Sequence, residues 1–385
     1  MSIQRTFGLV YPLWSHVARG DLLDRAVGEA GLGHITIPII TGPYAAFRPA
    51  DALRPHVFVT RGGWHYRSSC TERLAGPLRL RTAAWLGKRN VLPRVLDTAR
   101  SRGLRVVWRL DLPGAGGLVE HNPHLGARNA WGEQPAGAAA CVLNPATREL
   151  LAAVAGELRD LVPEAAFEWS GARPDRALPA SLAQSPRVSA TAGRWLSVCF
   201  CPSCWDVAQA AGVDAEQAAA AVRRLAGAGE PVRDEDAATA EHYQQVRVAY
   251  WRNWWAGFTR RSAGEATWFR LCTPSERANR TASPPRPTPA GDTGPEPPAL
   301  VDLLRVPADQ TAPLDAGALP ALADGVAALS LPLGQPPFSS SDALVRCVHH
   351  AAESGVRFFD FERLDESPVE VLTWVRQAVR YAQRG

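Results

Sequence analysis

The sequence predicts an α/β protein built as a (β/α)8 TIM barrel with long loops at the carboxyl-terminal face of its strands. Three observations lead there. Short apolar, β-rich runs alternate with longer helix-like segments, the pattern of βα units around a parallel sheet. Eight such runs occur in 385 residues, the number a closed barrel needs. No GxGxxG follows the first run, which argues against the main rival, a doubly wound dinucleotide-binding sheet. With 46% apolar residues the chain has ample material for a buried core, and one domain over residues 1–385 is expected.

The first strand is read in FGLVYPL (Phe7 to Leu13), followed by a helical stretch from Asp21 and the second strand, HITIPII (His34 to Ile40). After an irregular section rich in aromatics and arginine, Val91 to Arg102 has the helical period and Gly103 stops it. LRVVWRLD (Leu104 to Asp111) reads as the third strand. Asn144 to Leu161 opens on Asn-Pro and repeats Leu150, Leu151, Val154, Leu158 and Leu161 at helical spacing, leading into the fourth strand, Ala165 to Ser170. Alanine-rich helices are expected over Ala208 to Ala228 and from Asp236 to about Phe258, then a fifth strand, Ala266 to Cys272. Thr281 to Pro298 is proline-dense and reads as a flexible insertion at a loop tip. Strands six, seven and eight are Ala299 to Val306, Val326 to Leu333 and Val356 to Glu362, with helices over Ser341 to Ser354 and Ser367 to Gln383.

Composition narrows the function classes. The net charge of +4 is small, the basic residues are almost all arginine with Lys88 the one lysine, and no basic run is interleaved with stacking aromatics. Nucleic acid is therefore not an expected partner. No segment approaches the roughly 20 apolar residues that span a bilayer. The opening residues lack the apolar core and small-residue cleavage site of a secretory signal, so a cytoplasmic location without membrane attachment is expected. Oligomeric state is left open, a homo-oligomer included.

Cysteine usage is the most specific feature. Three of the seven cysteines crowd into CFCPSC, at Cys199, Cys201 and Cys204. Three thiols in so short a loop can converge on one ion, and zinc normally takes four ligands. Cys141 stands just before the helix that leads into the fourth strand, while CFCPSC follows that strand. A connection long enough to keep Cys141 at the carboxyl end makes it the fourth ligand of a structural zinc. A redox pair within CFCPSC and inert buried thiols remain alternatives at this point. Cys70, Cys272 and Cys347 stand in separate contexts, as plain thiols.

CVLNPATREL, then a strand bearing an acidic residue, then CFCPSC resembles family 42 glycoside hydrolases, the β-galactosidase group whose barrel holds a zinc on one cysteine and a downstream CxCxxC. HNPHLGARNAWG (His121 to Gly132) and CFCPSCWDVAQAAGVD resemble segments of uncharacterised actinobacterial barrel proteins of glycosidase-like type. The resemblance runs over Val91 to Asp214. It implies a barrel, a structural zinc on Cys141, Cys199, Cys201 and Cys204, and a carbohydrate substrate or ligand.

The resemblance also places a general acid/base at the end of the fourth strand, where Glu168 is the acidic residue. The expected asparagine before it is replaced by Phe167. The expected seventh-strand glutamate is missing, since VAALSLPLGQPP holds no acid. Glycoside hydrolysis needs two carboxyl groups across the sugar, so Asp302 on the sixth strand and Asp360 and Glu362 on the eighth are the candidate partners. Each can equally be a salt-bridged or solvated strand-end group. Asp111 and Arg109 share a face of the third strand and can bind sugar hydroxyls. Trp14, His16, Trp64, Trp169 and His121 complete the candidate saccharide cleft, because aromatic faces stack on pyranose rings. The preferred reading is a glycoside hydrolase acting on a saccharide, with Glu168 as general acid/base; a catalytically silent barrel that binds carbohydrate or a protein partner is the competing reading, and the missing seventh-strand acid favours it.

Overall fold

The computed structural model describes residues 5–18, 20–42, 44–47, 57–74, 76, 78–111, 117–135, 137–170, 190–227, 231–262, 267–271, 301–305, 328–333, 338–353, 355–368 and 370–384. The proline-dense stretch 281–298 lies outside them.

Each of the eight runs read as strands is a strand. In chain order they are β1 (Thr6–Val10), β2 (His34–Thr41), β6 (Arg105–Asp111), β7 (Ala166–Ser170), β8 (Thr267–Leu271), β9 (Val301–Arg305), β10 (Ala328–Pro332) and β11 (Phe358–Glu362). Three shorter strands, β3 (Tyr44–Phe47), β4 (Val57–Thr60) and β5 (Gly63–Trp64), fall in the section after β2. The eight principal strands are mutually parallel, each paired with its sequence neighbours, and β1 pairs with both β2 and β11. The sheet is thus a closed ring with no free edge among these strands. β5 adds to β2 antiparallel at Ile40↔Trp64, and β3 pairs with β4 as a separate hairpin.

The hydrophobic core lies between the strands and the helices outside them. Alternation puts Ile35, Ile37 and Ile39 of β2, Val106, Trp108 and Leu110 of β6, and Phe359 and Phe361 of β11 into it. The helices Leu92–Ser101 (α3), Pro145–Leu161 (α5), Ser341–Glu353 (α10) and Val371–Arg384 (α11) cover it with one apolar stripe each, such as Leu150, Leu151, Val154 and Leu158 of α5. The alternate positions face inward, and here the ring departs from the usual packing of branched aliphatics. His34, Thr36, Arg109, Glu168, Ser330, Asp360 and Glu362 are all buried.

A second core sits apart from the first. It gathers Leu143, Trp195, Val198, Phe200, Val222 and Tyr243 around four cysteines. Its helices are Ala190–Leu196 (α6), Pro202–Ala210 (α7), Ala215–Leu225 (α8) and the amino-terminal part of the 27-residue Asp236–Ser262 (α9). The helix expected over Ala208 to Ala228 is therefore a correction: it is two helices. Gly212, at φ 72°, turns the chain out of α7, and the Asp214 carboxylate accepts from the amides of Glu216 and Gln217 to start α8.

Candidate functional site

Arg109 occupies the middle of the ring interior. Its Nε donates to Glu168 Oε2 at 2.8 Å, its Nη1 to Glu362 Oε1 at 2.8 Å, and its Nη2 stands 3.5 Å from Asp360 Oδ2. Glu168 is the in-register neighbour of Arg109 on the adjacent strand, while Asp360 and Glu362 belong to β11, which is not adjacent to β6 in the ring. Asp360 also accepts from His34 Nε2 at 2.8 Å and from Thr36 Oγ1 at 3.0 Å, and Ser330 Oγ donates to Glu362 at 2.5 Å. Gly8 of β1 makes room, because a Cβ there would lie 2.1 Å from the His34 ring.

The electrostatics follow from this packing. Burial alone would lower the pKa of Arg109, but the charges of Glu168, Glu362 and Asp360 outweigh it and hold the guanidinium well above its ordinary value. Burial likewise raises the pKa of Asp360, yet the charge and hydrogen bond of His34, with Arg109 and Thr36, bring it below the ordinary carboxylate range. Both guanidinium nitrogens that hold a glutamate are bonded to one carbon at about 1.33 Å. The Glu168 and Glu362 oxygens therefore lie no more than about 8 Å apart.

Of the expected catalytic residues, Glu168, Asp360 and Glu362 meet at this guanidinium. Asp302 lies in β9 opposite Phe269, and its side chain is outside the described residues. Among the expected saccharide contacts, Arg109 sits at the centre and Asp111 one layer nearer the carboxyl ends on the same face. The tryptophans are corrections. Trp169, fully buried, points away from Glu168, stacks on Phe167 and meets Trp255 and Phe258 of α9 edge-on outside the ring. Trp64 is buried in the main core beside Tyr66. Trp14 is 3% exposed within a nest of Tyr44, His65 and Trp85. None of the three offers an open ring face. His16 is half-buried with Nδ1 3.3 Å from the Tyr11 hydroxyl, and His121 is exposed at the end of the short helix Leu118–His121.

His65 shows how the nest after β2 is held. The Trp85 indole N–H donates to His65 Nδ1 at 2.9 Å, so the ring proton sits on Nε2, which donates to Thr41 Oγ1 at 2.7 Å. Burial pushes the His65 pKa down to about 3, so the imidazole is neutral at ordinary pH.

The second candidate site is the thiol cluster. Sγ atoms of Cys141, Cys199, Cys201 and Cys204 all lie within 4.8 Å of one another, with Cys141–Cys204 at 3.6 Å and Cys201–Cys204 at 3.7 Å. These separations are far too long for a disulfide. They suit four sulfurs around one ion, since bonds of about 2.3 Å in a tetrahedron put sulfurs about 3.8 Å apart. The loop that delivers Cys141 is pinned by its amide to Leu125 O at 2.7 Å and by Phe200 N to Arg128 O at 2.7 Å. Backbone amides of Arg128 and Cys201 reach Cys199 Sγ at 3.4 Å. Burial raises the pKa of the Cys199 thiol, but hydrogen bonds from the Cys141 and Cys204 thiols bring it below its ordinary value. The Asn144 side chain caps α5, which descends to the start of β7, so the cluster lies at the carboxyl end of the ring.

No protein-family model and no curated protein sequence matches the chain. Among solved structures it is similar to an alpha-L-fucosidase isoenzyme 2 from Paenibacillus thiaminolyticus, with TM-score 0.52, 12% identity, and coverage of 100% of this chain and 49% of that one. It is also similar to a beta-N-acetylhexosaminidase from Bacteroides fragilis NCTC 9343, with TM-score 0.49, 11% identity, and coverage of 97% and 66%. A GH20 exo beta-N-acetylglucosaminidase from Vibrio harveyi matches with TM-score 0.45, 11% identity, and coverage of 100% and 57%. The chain shares its fold with part of the fucosidase. At such identities the likeness is one of fold alone, and the chain spans about half the length of the fucosidase.

Sequence reasoning found Arg109 and three carboxylates but missed His34, Thr36, Ser330 and Gly8. The signal was in HITIPII, where His34 and Thr36 alternate with isoleucines. A run buried on both faces does not need polar residues at alternate positions.

Proposed function

We propose that this chain is a complete (β/α)8 barrel of the glycoside-hydrolase kind that binds a saccharide and does not hydrolyse it. The observation that carries this reading is Arg109, bonded at once to Glu168 and Glu362 in a buried site. A general acid must arrive holding its proton. A carboxylate accepting a charge-assisted bond from a buried guanidinium is held ionised. The bond each glutamate makes to Arg109 favours its ionised form over the protonated form a general acid needs. The seventh strand of the ring, β10, presents Ser330 to the interior and contributes no carboxylate to this cluster. A saccharide is the ligand favoured by the fold likeness.

Hydrolysis is the second reading, favoured by one observation. Glu168 and Glu362 lie no more than about 8 Å apart, a bound that admits both carboxylate spacings used in glycoside hydrolysis, about 5–5.5 Å and about 6.5–9.5 Å. In it Glu168 serves as general acid/base and Glu362 as the second carboxylate, once substrate draws Arg109 away.

A panel of aryl glycosides, with calorimetric titration of the parent sugars, separates the two. Binding without turnover supports the first reading. Turnover that vanishes in Glu168→Gln adopts the second. Neither binding nor turnover across the panel overturns the saccharide assignment.

The thiol cluster is read as a zinc site resembling that of family 42. Four thiolates leave no open position for water, so the ion would brace the chain around β7 and take no part in chemistry. No helix among the described residues is long and apolar enough to cross a membrane. A four-thiol site stays reduced in a reducing compartment, and we place the protein in the cytoplasm.

A further inference from the structure

We propose that the exposed face of α3, with the loop before it, is a docking surface for an acidic polysaccharide, one of whose sugar rings sits in the cavity between α3 and α5. The surface lies outside the ring of strands, and the proposal does not depend on what the ring interior binds.

Charge is unevenly spread along the chain. Residues 61–105 hold 11 of its 42 lysines and arginines but two of its 38 acidic residues, Glu72 and Asp97. That leaves +9 on this stretch and, with +4 on the whole, −5 on the rest. Such a concentration attracts a polyanion in a way the small net charge of the whole does not. The structure gathers part of it on one face. Arg94 and Arg100 are exposed on α3, and Lys88 and Arg89 are exposed in the loop before it. Arg67 reaches the same loop, donating from Nη2 to Gly87 O at 2.8 Å, and Arg89 donates from Nη1 to Trp85 O at 2.9 Å. These bonds to carbonyls hold the two cations in place without neutralising them. Among the described residues the ion pair on this face is Arg100–Asp97 at 3.0 Å, with side chains 71% and 73% exposed, so it is weak.

A cavity of about 350 Å³ opens in this face, at the small end of the range for ligand sites. Arg67, Asn90 and Arg100 give it polar groups, and Leu92, Pro93 and Leu96 give it an apolar wall. That mixture suits a sugar ring, which has polar edges and apolar faces. The two carboxylates in the lining are already engaged. Asp97 is held by Arg100, and Glu157 accepts from the Tyr66 and Ser69 hydroxyls and the Ser69 amide. The cations left over favour a sugar that carries a carboxylate or a sulfate. Nucleic acid fits less well, because a duplex has no group to seat in a cavity and a single strand needs free aromatic faces. Here Tyr66 is 5% exposed, and Trp85 packs on Trp14 and His65.

The test measures binding of the full chain at low salt to polygalacturonate, dextran sulfate, neutral dextran and duplex DNA. At least one of the two acidic polysaccharides should bind, and added salt should weaken it. The variant carrying Lys88→Glu, Arg89→Glu and Arg94→Glu should lose about 10–100-fold in that affinity. A control carrying Arg346→Glu, Arg380→Glu and Arg384→Glu on α10 and α11 changes the net charge equally and should stay near the parent. Asn90→Trp, which fills the cavity from an exposed position without changing charge, should also weaken the acidic glycan. No binding of either acidic polymer, equal binding of neutral dextran, or equal losses in the two triple variants overturns the proposal. Duplex DNA bound as tightly as the glycan, or a parent-like affinity in Asn90→Trp, overturns the choice of a sugar as the occupant. Titration of the neutral parent sugars reads the ring interior separately, so failure there and failure here are distinguishable.

Discussion

Replacing Arg109 with methionine keeps the length of the side chain and removes its charge, leaving Glu168, Asp360 and Glu362 facing one another at 0%, 2% and 6% exposure. Breaking a buried ion pair from one side costs about 3–5 kcal/mol, because the surviving charge keeps its desolvation penalty and loses its partner. Unfolding entropy near 2.1 cal/mol/K per residue gives about 0.8 kcal/mol/K over 385 residues, so Tm should fall by about 4–6 °C at pH 7. The sign of the pH dependence is fixed by Asp360, whose folded pKa lies below its ordinary value. Its contribution in the parent is complete above about pH 3.9 and is lost as pH falls through the lower, folded value. In Arg109→Met burial acts unopposed by the guanidinium, the carboxyls take up protons at higher pH, and the deficit shrinks below about pH 5. Scanning calorimetry at pH 7 and pH 4.5 measures both. A Tm within about 1 °C of the parent at pH 7 would refute the reasoning, as would an undiminished deficit at pH 4.5.

Three further outcomes are expected. Gly8→Ala should cost about 1–3 kcal/mol through the His34 clash, and a urea-unfolding cycle should find that cost abolished in a His34→Ala background; equal costs in both would clear His34 of the blame. Cys201→Ser should lower zinc content and Tm together, whereas a full zinc complement in that variant removes Cys201 from the ligand set. Glu157 of α5 accepts from the Tyr66 hydroxyl at 2.8 Å, the Ser69 amide at 2.7 Å and hydroxyl at 2.9 Å, and the Ser68 hydroxyl. Glu157→Ala should therefore cost about 1.5–3 kcal/mol and speed proteolysis between Tyr66 and Arg73; unchanged cleavage there would show that the segment is held by other contacts.

The principal strands were legible because each is a short apolar run set between helical periods, and the thiol cluster because four sulfurs in two segments have few other uses. What faced inward was harder to read. Glu168 and Trp169 are adjacent in sequence, and only the parity of β7 in the closed ring sends one to Arg109 and the other to Trp255. A place after a strand does not by itself put an aromatic ring at the mouth: Trp14 and Trp64 are spent on packing. The polar interior escaped notice because its members are spread over several strands, one or two to each. His34 has meaning only beside Asp360, more than three hundred residues away in sequence. The alanine-rich run hid its break because alanine is indifferent to which helix it joins, and Gly212 with Asp214 made the division.

The helix Asp236–Ser262 ties the two cores into one mechanical unit. Its early turns seat Tyr243 on the cysteine loop, and about 18 Å further along the same rod Trp255 leans on Trp169, directly behind the strand that holds Glu168. A rigid rod cannot settle at one end without moving the other, so stripping the sulfur pocket should disturb indole emission at the back of β7 long before the chain unravels. With Trp195 of the second core replaced by phenylalanine, the emission of Trp255 would then serve as a gauge of a pocket its own ring does not line.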